Sequence, residues 1–310
     1  MKKQEKSEFK GDMVIMTVTI KPTKEEVSDW IENFVPKIDL FFVEENTLAM
    51  FEEYLSEVLV VPRKEFFEHS TYNQIQLVNS YMYWNISDKV KYVIVAQPDW
   101  ISKIPEQRKR EILFNQYKVG RGLVFPLSLF PFSRSLPEVY IFEEKGDKLL
   151  IIQNKMWNEL PFQVKESAIQ EYAQLWDNWI CCEVPEQTPI HIKKYANKFS
   201  TVSGSNCLSA TLFAITGQDW ILDEWVHPDT FLNGLERASF SLINDKIQRG
   251  DVITWVNNDG IIQHAAYHID NNYFFNKNGQ TIFNPWKIIH WDQLNEEWGH
   301  YKTKVYRKRL

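Results

Sequence analysis

Three residues in the last third of the chain have the types and order of a thiol hydrolase. Cys207 stands in Ser203-Gly204-Ser205-Asn206-Cys207-Leu208-Ser209-Ala210, at the head of an apolar run. A thiol in the first turn of a helix meets the positive end of the helix dipole and free N–H groups, and both favour the thiolate. The same N–H groups can hold an oxyanion. Taken alone, a free cysteine in an apolar helix is more often a small core residue. His264 lies 57 residues further on, inside Gln263-His264-Ala265-Ala266-Tyr267. Its imidazole can take the thiol proton and return it to a leaving group. Asn276 follows twelve residues later, and an amide there can orient the imidazole. The bland alternatives are a satisfied half-buried histidine and a polar residue beside a turn.

The elements that must position these residues can be read from the same stretch. Asn206–Ile215 predicts an apolar helix, with Ser205 as a plausible N-cap and Gly217 just past its end. Asp229–Phe240 predicts a second helix. Asp251–Val256, Ile261–Ile269 and Tyr273–Asn276 predict strands parted by Asn257-Asn258-Asp259-Gly260 and Asp270-Asn271-Asn272. A helix followed by an antiparallel meander is an α+β arrangement. A three-residue loop at 270–272 sets His264 opposite Asn278 and leaves Asn276 diagonal to it on the same face. A two-residue loop would move Asn276 to the other face, so Asn278 is the reserve orienter.

These residues resemble the NlpC/P60 superfamily of papain-like cysteine peptidases. The shared order is a Cys at a helix start, Gly250-Asp251 before a strand, His264 on the next strand, and a polar residue twelve positions on. The resemblance spans about residues 190–290. It implies a Cys207–His264–Asn276 catalytic set and a peptide or peptide-like substrate, such as a bacterial cell-wall peptide with γ-D-glutamyl linkages. It places Tyr195, twelve residues before Cys207, beside the oxyanion hole. Asn206, Asn278 and Trp255 complete the expected oxyanion and substrate-binding set. The chain departs from the family at the nucleophile, where Asn206-Cys207-Leu208-Ser209 replaces the usual Asp-Cys-Ser-Gly. That departure keeps a catalytically inactive binding or immunity-type module in view. Acyl transfer is a third reading, although Cys before His is the reverse of the order in the permuted relatives that transfer acyl groups.

The rest of the chain narrows the function class. Its 310 residues are 44% hydrophobic and 25% charged, the balance of a globular protein, and length suggests one large or two medium domains. A net charge of −6 disfavours a general nucleic-acid binder. Apolar stretches are too short for a membrane span, and the basic start lacks a signal-peptide cleavage site, so a cytoplasmic location is expected. Cys181, Cys182 and Cys207 are an odd set that forms no disulfide framework. No spaced Cys/His pairs predict zinc, and His264 and His268, four apart on a strand, stand about 13 Å apart. No metal or cofactor is expected. Basic residues near the C-terminus, Lys302 to Arg309, read as a solvated face.

Upstream, residues 1–12 read as a disordered lead-in and 13–183 as an α/β region of unassigned role. Within it, Thr23 and Glu26 form a capping box for a helix at Glu25–Val35. Helices are expected at Glu45–Val60, from Pro98 to Tyr117 and at Val164–Trp179, with a buried strand at Tyr92–Ala96 and a hairpin turning at Lys145-Gly146-Asp147. Pro-rich Glu183–Pro189 marks the expected boundary with a hydrolase domain at 184–310.

Overall fold

The structure is a computed structural model and describes residues 16–130 and 136–309. The expected lead-in at 1–12 lies outside the described residues. The chain is mixed α and β with antiparallel sheets.

The first part runs β1 (Thr17–Thr19), α1 (Lys24–Asn33), β2 (Asp39–Val43), α2 (Glu45–Ala49), β3 (Leu59–Pro62), α3 (Arg63–Glu68), α4 (Ile75–Tyr81), β4 (Tyr92–Ala96), α5 (Trp100–Lys103) and α6 (Glu106–Lys118). It continues through β5 (Val124–Pro126), β6 (Ile141–Glu144), β7 (Asp147–Ile151), α7 (Asn154–Glu159), α8 (Phe162–Gln174) and β8 (Ile180–Cys182). The Thr23/Glu26 capping box starts α1 as expected. The β6–β7 hairpin turns on Lys145 and Gly146, both at positive φ, and a glycine carries that conformation without strain.

Three upstream expectations are corrected. Glu45–Val60 is not one helix: α2 stops at Ala49, a 3₁₀ turn covers Glu52–Glu57, and Leu59 enters β3. Pairing of β3 with β4 (Val61 opposite Val93) outweighs the helical spacing of Leu48, Phe51, Leu55 and Leu59. The stretch from Pro98 breaks at Ile104-Pro105, where the missing N–H and the restricted preceding residue end α5. The long helix is α8, and it ends at Gln174 so that residues 180–182 can pair with β1.

The second part holds α9 (Ile190–Tyr195), α10 (Cys207–Thr216), α11 (Pro228–Arg237), β9 (Phe240–Ile243), β10 (Val252–Val256), β11 (Ile262–Asp270), β12 (Tyr273–Lys277), β13 (Trp286–His290), α12 (Trp291–Trp298) and β14 (Lys302–Lys308). Six of its strands form one antiparallel sheet in the order β13-β12-β11-β10-β14-β9. The C-terminal basic stretch is an inner strand of this sheet, and its Lys302, Lys308 and Arg309 remain exposed.

Alternation of side chains across the sheet builds two cores. On one face α10 packs Ala210, Phe213 and Leu212 on Val252, Ala265, Phe275 and Ile288. On the other, α12 packs Leu294 and Trp298 over Ile253, Trp255, Ala266, Phe274 and Ile289. Each fully buried Phe or Leu contributes roughly 1.5–3 kcal/mol of transfer free energy.

The stretch at 183–189 is a crossing point of the chain, and packing continues across it. Phe199 and Phe283 sit in the same apolar cluster as Trp30 and Trp179, with Trp30 edge-on to Phe199 at 5.2 Å and to Phe283 at 5.1 Å. Trp179 Nε1 donates to the Phe283 carbonyl at 3.0 Å.

Candidate functional site

Cys207 is the first residue of α10, in the first helical turn as expected, and the N-cap is Asn206 rather than the expected Ser205. Asn206 is the N-cap: its Oδ1 accepts from Ser209 N at 2.9 Å, and Ser209 Oγ accepts from Asn206 N in return. Asn206 Nδ2 donates to the Val226 carbonyl at 2.8 Å. Its amide is thus committed to holding the helix start, and the N–H groups of Cys207 and Leu208 point toward the Cys207 sulfur. Burial pushes the Cys207 thiol up to about 11, while N–H groups of Ala265, Leu208 and Cys207 and the charge of Lys277 pull the other way.

His264 is buried on β11, opposite Trp255 on β10. It shares the α12 face, where its ring stacks on Trp298 with centroids 4.3 Å apart and planes within 3°. Burial lowers the imidazole to about 3, partly offset by a hydrogen bond with Asn276. Its Nε2 has no partner of standard geometry, and neither amide atom of Asn276 has one. The strand register is the expected one: Tyr267 opposes Phe275 and His268 opposes Phe274, which keeps Asn276 on the His264 face. The irregularity falls at the turn, where Asp270 meets Tyr273.

The same alternation separates the expected pair. Ala265, not His264, faces α10, and no hydrogen bond joins Cys207 to His264. An ion-paired thiol and imidazole would shift toward each other, the thiol down and the imidazole up; here each shifts the opposite way. What the fold does bring together is a cleft of about 380 Å³ bordered by both residues, with Asn206, Asn278 and Trp225. Trp84 and Trp176 of the first part close its far side.

Two expected substrate contacts lie elsewhere. Tyr195 donates its hydroxyl to Asp219 Oδ2 at 2.8 Å and lines a separate hollow with Trp220 and Trp286. Trp255 is fully buried under α12 and is a core residue. Asn278 borders the cleft with its amide already used, Nδ2 donating to Glu297 and Oδ1 accepting from Trp298 Nε1.

The residue that sequence reasoning missed is Lys277. Its strand, Tyr273-Phe274-Phe275-Asn276-Lys277, carries the signal: a period of two sets Lys277 on the inner face with Tyr273 and Phe275. Lys277 is completely buried, with Nζ donating to the carbonyls of Thr281 at 2.9 Å and Asn284 at 2.7 Å. Thr281 and Asn284 both line the cleft.

No group of three or more metal-ligating side chains is present among the described residues, and no helix there is long and apolar enough to cross a membrane. Comparison with protein-family models, with curated proteins and with solved structures finds no match.

Proposed function

We propose that the chain is a cysteine hydrolase with a papain-like arrangement in residues 184–310, cleaving an amide bond in a peptide-like substrate. The carrying observation is Cys207 at the capped start of α10, opening into a cleft with N–H donors beside the sulfur. A carbonyl carbon entering that cleft would meet the sulfur, and its oxygen the N–H groups of the first helical turn. His264 borders the same cleft, and burial favours its neutral form, which can take a proton from or return one to the reacting groups. Asn276 shares the His264 face, and its amide is the group available to orient the imidazole.

A binding module without turnover is the second reading. It is favoured by the unpaired Cys207 and His264 and by an imidazole held in an aromatic stack. Acyl transfer shares the acyl-thiol step and differs only in the acceptor.

Incubation with a library of γ-glutamyl and ordinary dipeptide amides separates these readings. Hydrolysis by the native chain that is abolished in Cys207→Ala is the expected result. Binding of library members with no turnover, equal in both forms, would establish the module instead.

A further inference from the structure

The cleft that Cys207 borders is walled by indole rings. Trp84, Trp176, Trp225 and Trp298 line it, and no Asp, Glu, Lys or Arg does so among the described residues. Trp84 is 50% exposed and Trp225 37%, so both keep ring surface for a ligand. His227 lines the same wall, its ring centroid 4.7 Å from that of Trp225. The amides of the lining are largely spent on the protein itself. Asn284 Nδ2 donates to the carbonyls of Trp176 and Asn278, and its Oδ1 accepts from Thr281. Gln280 Nε2 donates to Asn79 at 3.0 Å. Asn206 holds the helix start, and Asn278 is bonded to Glu297 and Trp298. Of the buried polar atoms on the lining, His264 Nε2 is the one left without a partner among the described residues. Lys277 gives its amine to the Thr281 and Asn284 carbonyls and does not line the cleft. Glu297, the charge bonded to the lining, is negative and repels an anion placed there.

We propose that the substrate of this site is an uncharged peptide with an aromatic or large apolar side chain beside the scissile amide, rather than one bearing free carboxylates. This substrate class rests on Cys207 as the nucleophile and names what its cleft accepts. An aromatic side chain gains from stacked or edge-on contact with indole rings beyond the area it buries. An ionised carboxylate entering the cleft would leave water and meet no cation, and a desolvated charge recovers that loss only by pairing. A γ-linked glutamate keeps its α-carboxyl group free, so the wall-derived substrate implied by the family resemblance has the wrong charge for this cleft. At about 380 Å³ the cleft has the size of a small-ligand site, and it selects by a few side chains rather than by a long surface.

Calorimetric binding to the full chain carrying Cys207→Ala tests the class without turnover. The probes are acetyl-Phe-Ala-amide, acetyl-γ-D-glutamyl-alanine, and the latter with both carboxyl groups amidated. The neutral aromatic peptide should bind at least about tenfold tighter than the acidic one, and amidation should tighten the acidic one. Trp84→Ala and Trp225→Ala, at partly exposed positions, should each weaken the aromatic peptide about tenfold and leave the acidic one unchanged. If one of these variants fails to fold, the other serves. Trp220→Ala, in the separate hollow beside Tyr195, should change neither affinity. Equal or tighter binding of the acidic peptide, no binding of the aromatic one, or tryptophan variants that leave its affinity intact overturns the substrate class. Hydrolysis is scored separately on the native chain. Turnover of the acidic peptide that Cys207→Ala lacks would keep the hydrolase and discard the class. Selective binding of acetyl-Phe-Ala-amide without its turnover by the native chain would keep the class as a ligand preference and discard the hydrolase.

Discussion

The two faces of the six-stranded sheet solve the same burial problem in different ways. The α10 face mixes aromatic and aliphatic side chains, Phe213, Phe275 and Trp286 with Ala210, Ala265 and Ile288; its buried Lys277 is hydrogen-bonded and Thr254 Oγ1 is its unpaired polar atom among the described residues. The α12 face leaves more polar atoms unpaired: Trp255 Nε1, His264 Nε2, His268 Nδ1 and both amide atoms of Asn276. Unpaired buried polar atoms cost about 1–3 kcal/mol each and mark places where a water, a ligand or a moving side chain is accommodated. The Cys207 thiol and the His264 imidazole therefore sit on faces that differ in how many buried polar atoms are paired. The α10 face holds the thiol in a settled frame, and the α12 face holds the imidazole in an unsettled one.

The largest test of that contrast is at the buried Lys287–Asp177 ion pair. Lys287 and Asp177 are both almost wholly buried and join the sheet to the segment after α8. Lys287→Met strands the Asp177 carboxylate, and a buried charge without its partner costs about 3–5 kcal/mol. Urea unfolding should show a lower midpoint with an unchanged slope. Adding Asp177→Leu should recover most of the loss. If Lys287→Met costs no more than a surface substitution, the α12 face is wetter than its burial implies.

Acid separates the faces next. The unfolded imidazole binds a proton near pH 6.5 and the folded one only near 3, so the unfolded state holds more protons between these values. His264 thus contributes stability that is complete above about 6.5 and lost as pH falls toward 3. Buried Asp39 has the opposite sign: burial raises it to about 6, so its contribution is present at low pH and lost as pH rises through 6. The difference between the native chain and His264→Leu isolates the histidine. It should shift in the variant's favour by roughly 1 kcal/mol per pH unit below 6.5. A pH-independent difference would mean that the imidazole reaches solvent.

The position of Cys207 in the first turn of a helix was legible because helix ends are local: Gly217 closes it as expected, although the cap is Asn206 with Ser209, one residue after the expected Ser205. So was the β11–β12 register, which follows from turn length and period-two alternation. The helix that each face receives was not legible. Whether His264 or Ala265 looks toward α10 depends on where α10 and α12 dock, and on the irregularity that sets Trp255 opposite His264 and Val256 opposite Ile262. Nor was β14 readable, since Lys302, Lys304 and Lys308 mask a strand whose Val305 and Tyr306 pair on both sides. The walls supplied by Trp84 and Trp176 come from segments more than a hundred and about thirty residues before Cys207, beyond any local pattern.

Asn276 carries the smallest effect and the sharpest one, because its two consequences run in opposite directions. Its amide is fully buried with neither atom in a hydrogen bond of standard geometry, and leucine has nearly its shape without the polar atoms. Asn276→Leu should therefore match or exceed native stability, by about 1 kcal/mol at most given that one contact with His264 is lost. It should leave alkylation of Cys207 untouched, since the thiol faces α10. In the hydrolase reading it should also lower turnover by about 10²-fold, because the imidazole loses the group that fixes its orientation. A residue kept at a cost to stability and needed for turnover is what a functional position on the unsettled face requires. Lost stability with unchanged turnover would make Asn276 a structural residue whose partners are waters, and the α12 face would then be a core like the other.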